Sequence, residues 1–149
     1  MIVADEAIAA ALDAALQSPR FADRWQAANL SQGNCFVVAL LVAEAAQTAG
    51  YPSAVVHGAP TLQRPPYAPY AHAWVEVPVT LMAGGPNETT ITFAIDYSNG
   101  LRAVLPTFLY YAFGRIEQAQ NLTYPFMEAL ALAVRHRHYG PYHNTDNLL

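Results

Sequence analysis

The chain contains a single cysteine, Cys35, which stands beside the polar Gly33-Asn34 step at the head of a long apolar run. A thiol so placed is a candidate nucleophile, because the first turn of a helix collects free N–H groups and the positive end of the macrodipole, and both favour thiolate over thiol. The alternative is packing: free cysteine is among the most buried residue types and behaves as a small hydrophobe. The chemical reading therefore needs a base from elsewhere in the chain. His72 is a candidate for that base, and Asp96 is a candidate to orient it. Together the three supply the roles of nucleophilic acyl transfer. Cys35 attacks a carbonyl carbon, His72 holds the proton and returns it to a leaving amine, and Asp96 fixes the tautomer and steadies the imidazolium. The backbone N–H of Cys35 is a natural oxyanion donor, with Asn34 in support. Gln32 either contributes a side-chain amide there or is a plain turn residue.

These residues need elements to hold them. Phe36 to Ala46 is apolar on nearly every side, too long and too rich in alanine for a strand, and is stopped by Gly50 and Pro52, so a buried central helix is expected. Ser31 or Asn34 can cap it. Residues 53–58 form a short β-branched run ending in His57, read either as a base or as a hydrogen-bonded structural histidine. Ala59 to Tyr70 is proline-rich and predicts a loop of limited flexibility that forms one wall of a cleft through Tyr70. In Ala71 to Val77 the alternation puts His72, Trp74 and Glu76 on one, polar, face, with Trp74 as core or cleft wall. In the run from Thr90 to Tyr97 the residues Ile91, Phe93, Ile95 and Tyr97 share a face, leaving Asp96 with Ala94 and Thr92. If these strands form an antiparallel hairpin symmetrical about Gly84, His72 lies directly opposite Asp96, with Cβ atoms about 4.5–5.5 Å apart. A later turn centre would slip that register.

Helices are expected on either side. Ile8, Leu12 and Leu16 recur every four residues between Asp5 and Gln17, and Phe21, Trp25 and Ala28 lie along one side of a second short helix. Pro106 can start a helix through the aromatic run Phe108 to Phe113, and Pro125 another to about His138, with Phe126, Leu130, Ala133 and Val134 toward the core. The tail from Tyr139 is polar and expected to be loose. His136, His138 and His143 lack the spacing and acidic or Cys partners of a ligand set, so no metal and no cofactor is expected.

Composition narrows the classes of function. A length of 149 residues with 54% hydrophobic content fits one domain with a real core. A net charge of −4, with seven Arg and no Lys, disfavours a nucleic-acid surface. No apolar run approaches the length of a membrane span, and Asp5 and Glu6 stand where a secretory signal would be positive, so a soluble cytoplasmic protein is expected. One cysteine fits a reducing compartment.

In order along the chain, Gly33-Asn34-Cys35-Phe36-Val37-Val38-Ala39, Ala49-Gly50-Tyr51-Pro52, Val55-Val56-His57-Gly58, His72-Ala73-Trp74-Val75-Glu76-Val77 and Ala94-Ile95-Asp96 resemble the transglutaminase-like core of the papain-like superfamily. The resemblance covers about Gly33 to Tyr97. It implies a Cys-His-Asp triad at Cys35, His72 and Asp96, on a central helix packed against a small antiparallel sheet. The expected fold is α+β, a single domain over 1–149. Its core covers about 33–97, with a helical N-terminal extension at 4–30 and a helical C-terminal region at 106–138. The expected activity is thiol-dependent acyl transfer on an amide of a peptide or protein substrate, hydrolysis (peptidase or deamidase) being favoured over transfer to an amine. A non-catalytic peptide- or protein-binding domain and a small-molecule acyltransferase using a thioester donor are the alternatives. Phe36 departs from the animal transglutaminases, which generally carry Trp after the cysteine, and neither Trp25 nor Trp74 maps onto their oxyanion-hole tryptophan.

Overall fold

The structure, a computed structural model, describes residues 4–29 and 34–142. Its centre is α3 (Cys35–Thr48), preceded by α1 (Ala4–Leu16) and α2 (Ala22–Asn29). Alanine's helix propensity offsets the β-branched Val37 and Val38. The decisive term is burial: Val38 to Ala43, Ala45 and Ala46 are all enclosed, and each large apolar side chain among them contributes roughly 1.5–3 kcal/mol. Gly50, at φ +94°, ends the run. Ser53 then ties the helix to the sheet, its hydroxyl donating to the Ala43 carbonyl at 2.8 Å.

The sheet is fully antiparallel, in the order β4-β3-β2-β1-β5. Its strands are β1 (Ala54–Gly58), β2 (His72–Leu81), β3 (Thr89–Asp96), β4 (Ala103–Pro106) and β5 (Leu122–Pro125). The expected α+β architecture, a cysteine-bearing helix on an antiparallel sheet, is what the chain forms. One face of the sheet, with Val55, Ala73, Val75, Val77, Phe93 and Ile95, packs into the core shared with α1 and α3. Ile8, Leu12 and Leu16 meet it from α1 as their spacing predicts.

The opposite face differs from expectation. Instead of a solvated polar surface, Val56, Trp74 and Ala94 form a second small core with Ile116, covered by Tyr110 and Tyr111 of α4 (Thr107–Gly114). An aromatic helix folded across β3 and β4 removes that face from water. The last helix, α5 (Phe126–His136), buries Phe126 and Ala129, not the full set expected. Leu130 and Val134 are exposed, because α5 meets α3 and β1 along the side that carries Phe126 and Ala129. Tyr142 corrects the expectation of a loose tail as far as it is described: its ring is buried, stacked at 4.9 Å on His136, and its hydroxyl donates to the His138 carbonyl at 2.6 Å. His143 lies outside the described residues. Among the described residues no helix is long and apolar enough to cross a membrane.

Candidate active site

Cys35 is the first residue of α3 and is buried. His72 opens β2 and Asp96 closes β3, and both are buried as well. His72 Nε2 lies 2.8 Å from Asp96 Oδ2, and since a carboxylate only accepts, the imidazole donates there through Nε2–H. The Cys35 side chain is close enough to the same ring to raise its pKa. With Nε2 engaged, Nδ1 is the nitrogen that remains for the sulfur. The structure thus brings together the three residues that the sequence nominates.

The route by which they meet differs from the expected one. The β2–β3 hairpin is symmetrical about Gly85, one residue later than Gly84, with Leu81 opposite Thr89 and Val75 opposite Ile95. Continued along the strands, that register sets Asp96 across from Trp74. His72 and Asp96 are therefore diagonal neighbours, not directly opposed. They keep the same face because a slip of two residues preserves the side-chain alternation. The two extra residues belong to the turn, where Gly85 N–H donates to the Met82 carbonyl at 3.0 Å.

Asp96 accepts four hydrogen bonds. Ser98 donates to Oδ1 through its N–H at 3.1 Å and its hydroxyl at 2.6 Å, and Tyr110 Oη donates to Oδ2 at 2.7 Å beside His72. Burial alone would raise the carboxyl's pKa. The hydrogen bond and charge of His72, with Ser98 and Tyr110, outweigh that and hold it below the ordinary value. Burial likewise opposes the imidazolium, but the contacts with Asp96 and then Cys35 push His72 up to about 9. Burial first, then the charge of Asp96, raises Tyr110 and keeps its hydroxyl a donor.

Ser98 and Tyr110 were not foreseen. Asp96-Tyr97-Ser98 carries a local signal, an Asp followed two residues later by a donor, as in an Asx turn. Tyr110 carries none, because its contact depends on how α4 crosses β3.

Of the supporting residues, Asn34 is the N-cap of α3, where its carbonyl accepts from Val38 N–H at 3.0 Å, but its side chain makes no cap hydrogen bond. It borders a groove of about 610 Å³ between α2, α3 and α5, so a supporting role for its side chain at the thiol has no contact behind it. Gln32 and Gly33, with Ser31, lie outside the described residues.

Trp74 is not a cleft wall. It is 1% exposed, its ring packed 5.2 Å from that of Tyr110 and its Nε1–H donating to Glu76 Oε2 at 2.9 Å. Tyr70 does line a groove, one of about 560 Å³ that opens beside His72, and its ring lies 5.6 Å from the imidazole. His57, at the end of β1, is enclosed between the rings of Phe36 and Tyr124 at 4.8 and 5.0 Å and borders the same groove. His136 and His138 pack with Tyr142.

A cysteine at the head of a buried helix, packed on an antiparallel sheet whose inner strands carry a paired histidine and aspartate, has the architecture of a transglutaminase-like core. The chain belongs to the transglutaminase-like superfamily, whose family model matches residues 6–86. Members of that superfamily are generally cysteine peptidases or acyltransferases. The matched segment contains Cys35 and His72. Asp96 lies beyond it, so its pairing rests on the 2.8 Å contact alone. Neither the curated proteins nor the solved structures contain a match to the chain.

Proposed function

We propose that the protein is a thiol-dependent enzyme that cleaves an amide in a peptide or protein, with Cys35 as nucleophile, His72 as acid and base, and Asp96 as the group that orients His72. The observation that carries this reading is the buried His72–Asp96 hydrogen bond with the Cys35 side chain close to the same ring. A buried histidine donating to a buried carboxylate through Nε2 has its other nitrogen free to exchange a proton with a thiol.

In the first step Cys35 Sγ, its proton passed to His72 Nδ1, attacks the amide carbonyl carbon. The S–C bond forms, the developing oxyanion takes the backbone N–H at the start of α3, and the C–N bond breaks as His72 returns its proton to the leaving amine. In the second step water attacks the thioester, giving its proton to His72. The C–S bond breaks, the carboxylic acid leaves, and His72 passes the proton back to Cys35 Sγ, restoring the thiol. Water as acceptor makes the net reaction hydrolysis.

The test uses a small thiol reagent such as iodoacetamide, followed by intact mass. Cys35 is expected to be alkylated faster than a free thiol at neutral pH, and His72→Ala to slow this about tenfold or more, within the range set by removing a base from its nucleophile. Equal rates in the two proteins would sink the reading.

A further inference from the structure

The groove beside His72 is walled by Phe36, the residue next to the thiol, by Tyr70, and by Leu122 across the start of β5. Its other polar side chains are His57, His72, Gln120 and Asn121, and Asp96 already pairs with the His72 ring. Among the described residues that line it there is no Asp, Glu, Lys or Arg, in a chain with eleven acidic residues and seven basic ones. The volume of about 560 Å³ falls in the range of sites that enclose a small-molecule-sized group.

Resting on the thiol-enzyme reading above, we infer that this groove is the specificity subsite, and that it takes an uncharged apolar or aromatic side chain of a peptide, next to the amide that Cys35 attacks. A guanidinium entering it would give up water and meet no carboxylate on its walls, and a carboxylate would find the His72 ring already paired with Asp96, a loss that only a well-made ion pair offsets. A Phe or Leu side chain loses nothing by leaving water and gains contact with Phe36, Tyr70 and Leu122. His72 itself lines the groove, so an occupant of this kind is held within the substrate segment that spans the reacting carbonyl.

The experiment uses the full chain and a set of capped dipeptidyl acyloxymethyl ketones carrying Phe, Leu, Glu or Arg in either position, with the rate of Cys35 alkylation read by intact mass. Phe and Leu probes are expected to react about tenfold or more faster than Glu and Arg probes at one of the two positions, the discrimination a pocket without an unpaired counter-ion gives. Placing a cation at the groove's rim by Ala119→Arg is expected to raise the Glu-to-Phe rate ratio. Rates alike within about twofold across the set, or faster reaction of a charged probe with the unmodified protein, would overturn the inference. Iodoacetamide, too small to use the groove, separates the two levels. If it shows Cys35 activated by His72 while the peptide probes do not discriminate, only the subsite falls; if it shows no activation, both fall.

Discussion

Tyr110 and His72 donate to the same oxygen of Asp96, while Ser98 holds the other oxygen twice. The orientation of the carboxylate is therefore secured by Ser98, and the hydroxyl of Tyr110 acts mainly on the charge that Oδ2 presents to the imidazole. The groups that titrate around His72 are Cys35, Tyr70, Asp96 and Tyr110, from α3, the preceding loop, β3 and α4. Removing one donor from a buried carboxylate strengthens its hold on the remaining one. Tyr110→Phe, which keeps the ring against Trp74, is thus expected to raise the His72 titration midpoint above its value of about 9. It is also expected to cost about 1–2 kcal/mol of stability through the lost charge-assisted bond. Imidazole resonances followed by NMR across pH, beside a denaturation curve, check both; a midpoint that falls or stays fixed would contradict this role. Under the proposed mechanism, proton delivery to a leaving amine is expected to weaken as pH rises through that midpoint.

At the scale of elements, the end of β1 is fixed by a residue with no side chain. A Cβ on Gly58 would lie 2.4 Å from the Trp74 ring and 2.5 Å from Asn121 Oδ1, and Trp74 cannot give way because Tyr110 and Tyr111 enclose it. Gly58→Ala is expected to destabilise the protein by about 1–3 kcal/mol, the usual cost of overpacking a filled core; urea denaturation measures it, and an unchanged midpoint would show that β1 shifts freely. What could be read from sequence follows from similar local arithmetic. The helix of Cys35 and the faces of β2 and β3 were legible, because an all-round apolar run and strict alternation are properties of neighbouring residues. β4 and β5 were not, since four residues are too few for alternation to show, and both are strands only because β3 and β1 offer them an edge. The hairpin register differs by two residues, its centre falling one residue later, and that difference depends on turn geometry and not on side-chain pattern. Trp74 was left between core and cleft wall because the helix covering it arrives from a different part of the chain. Of the candidate site, Cys35, His72 and Asp96 were each legible from type and position, whereas Tyr110 was not, its contact being wholly tertiary.

For the molecule as a whole, the buried pair links folding to pH in both directions. His72 has a folded pKa raised from 6.5 to about 9, so its contribution to stability is complete below the unfolded value and is lost as pH rises through the folded one. Asp96 has a folded pKa lowered from 3.8, so its contribution is present above that value and disappears as pH falls through the lowered one. Thermal melts are expected to be highest between about pH 4 and 6.5 and to decline toward pH 9. Asp96→Asn is expected to flatten the alkaline decline, and a wild-type melting temperature that rises from pH 6.5 to 9 would contradict the linkage. The symmetry of the β2–β3 hairpin bears on how freely such a protein can be altered. The separation of His72 and Asp96 is counted from the base of the hairpin, where Val75 faces Ile95, and the turn from Met82 to Glu88 lies at its far end. Residues added within the turn leave that count untouched, whereas a single residue removed from Thr89–Asp96 turns Asp96 toward α3. The hairpin tip is therefore a grafting point, open to insertion of a loop or tag of any length, while the strand a few residues away tolerates no change in number.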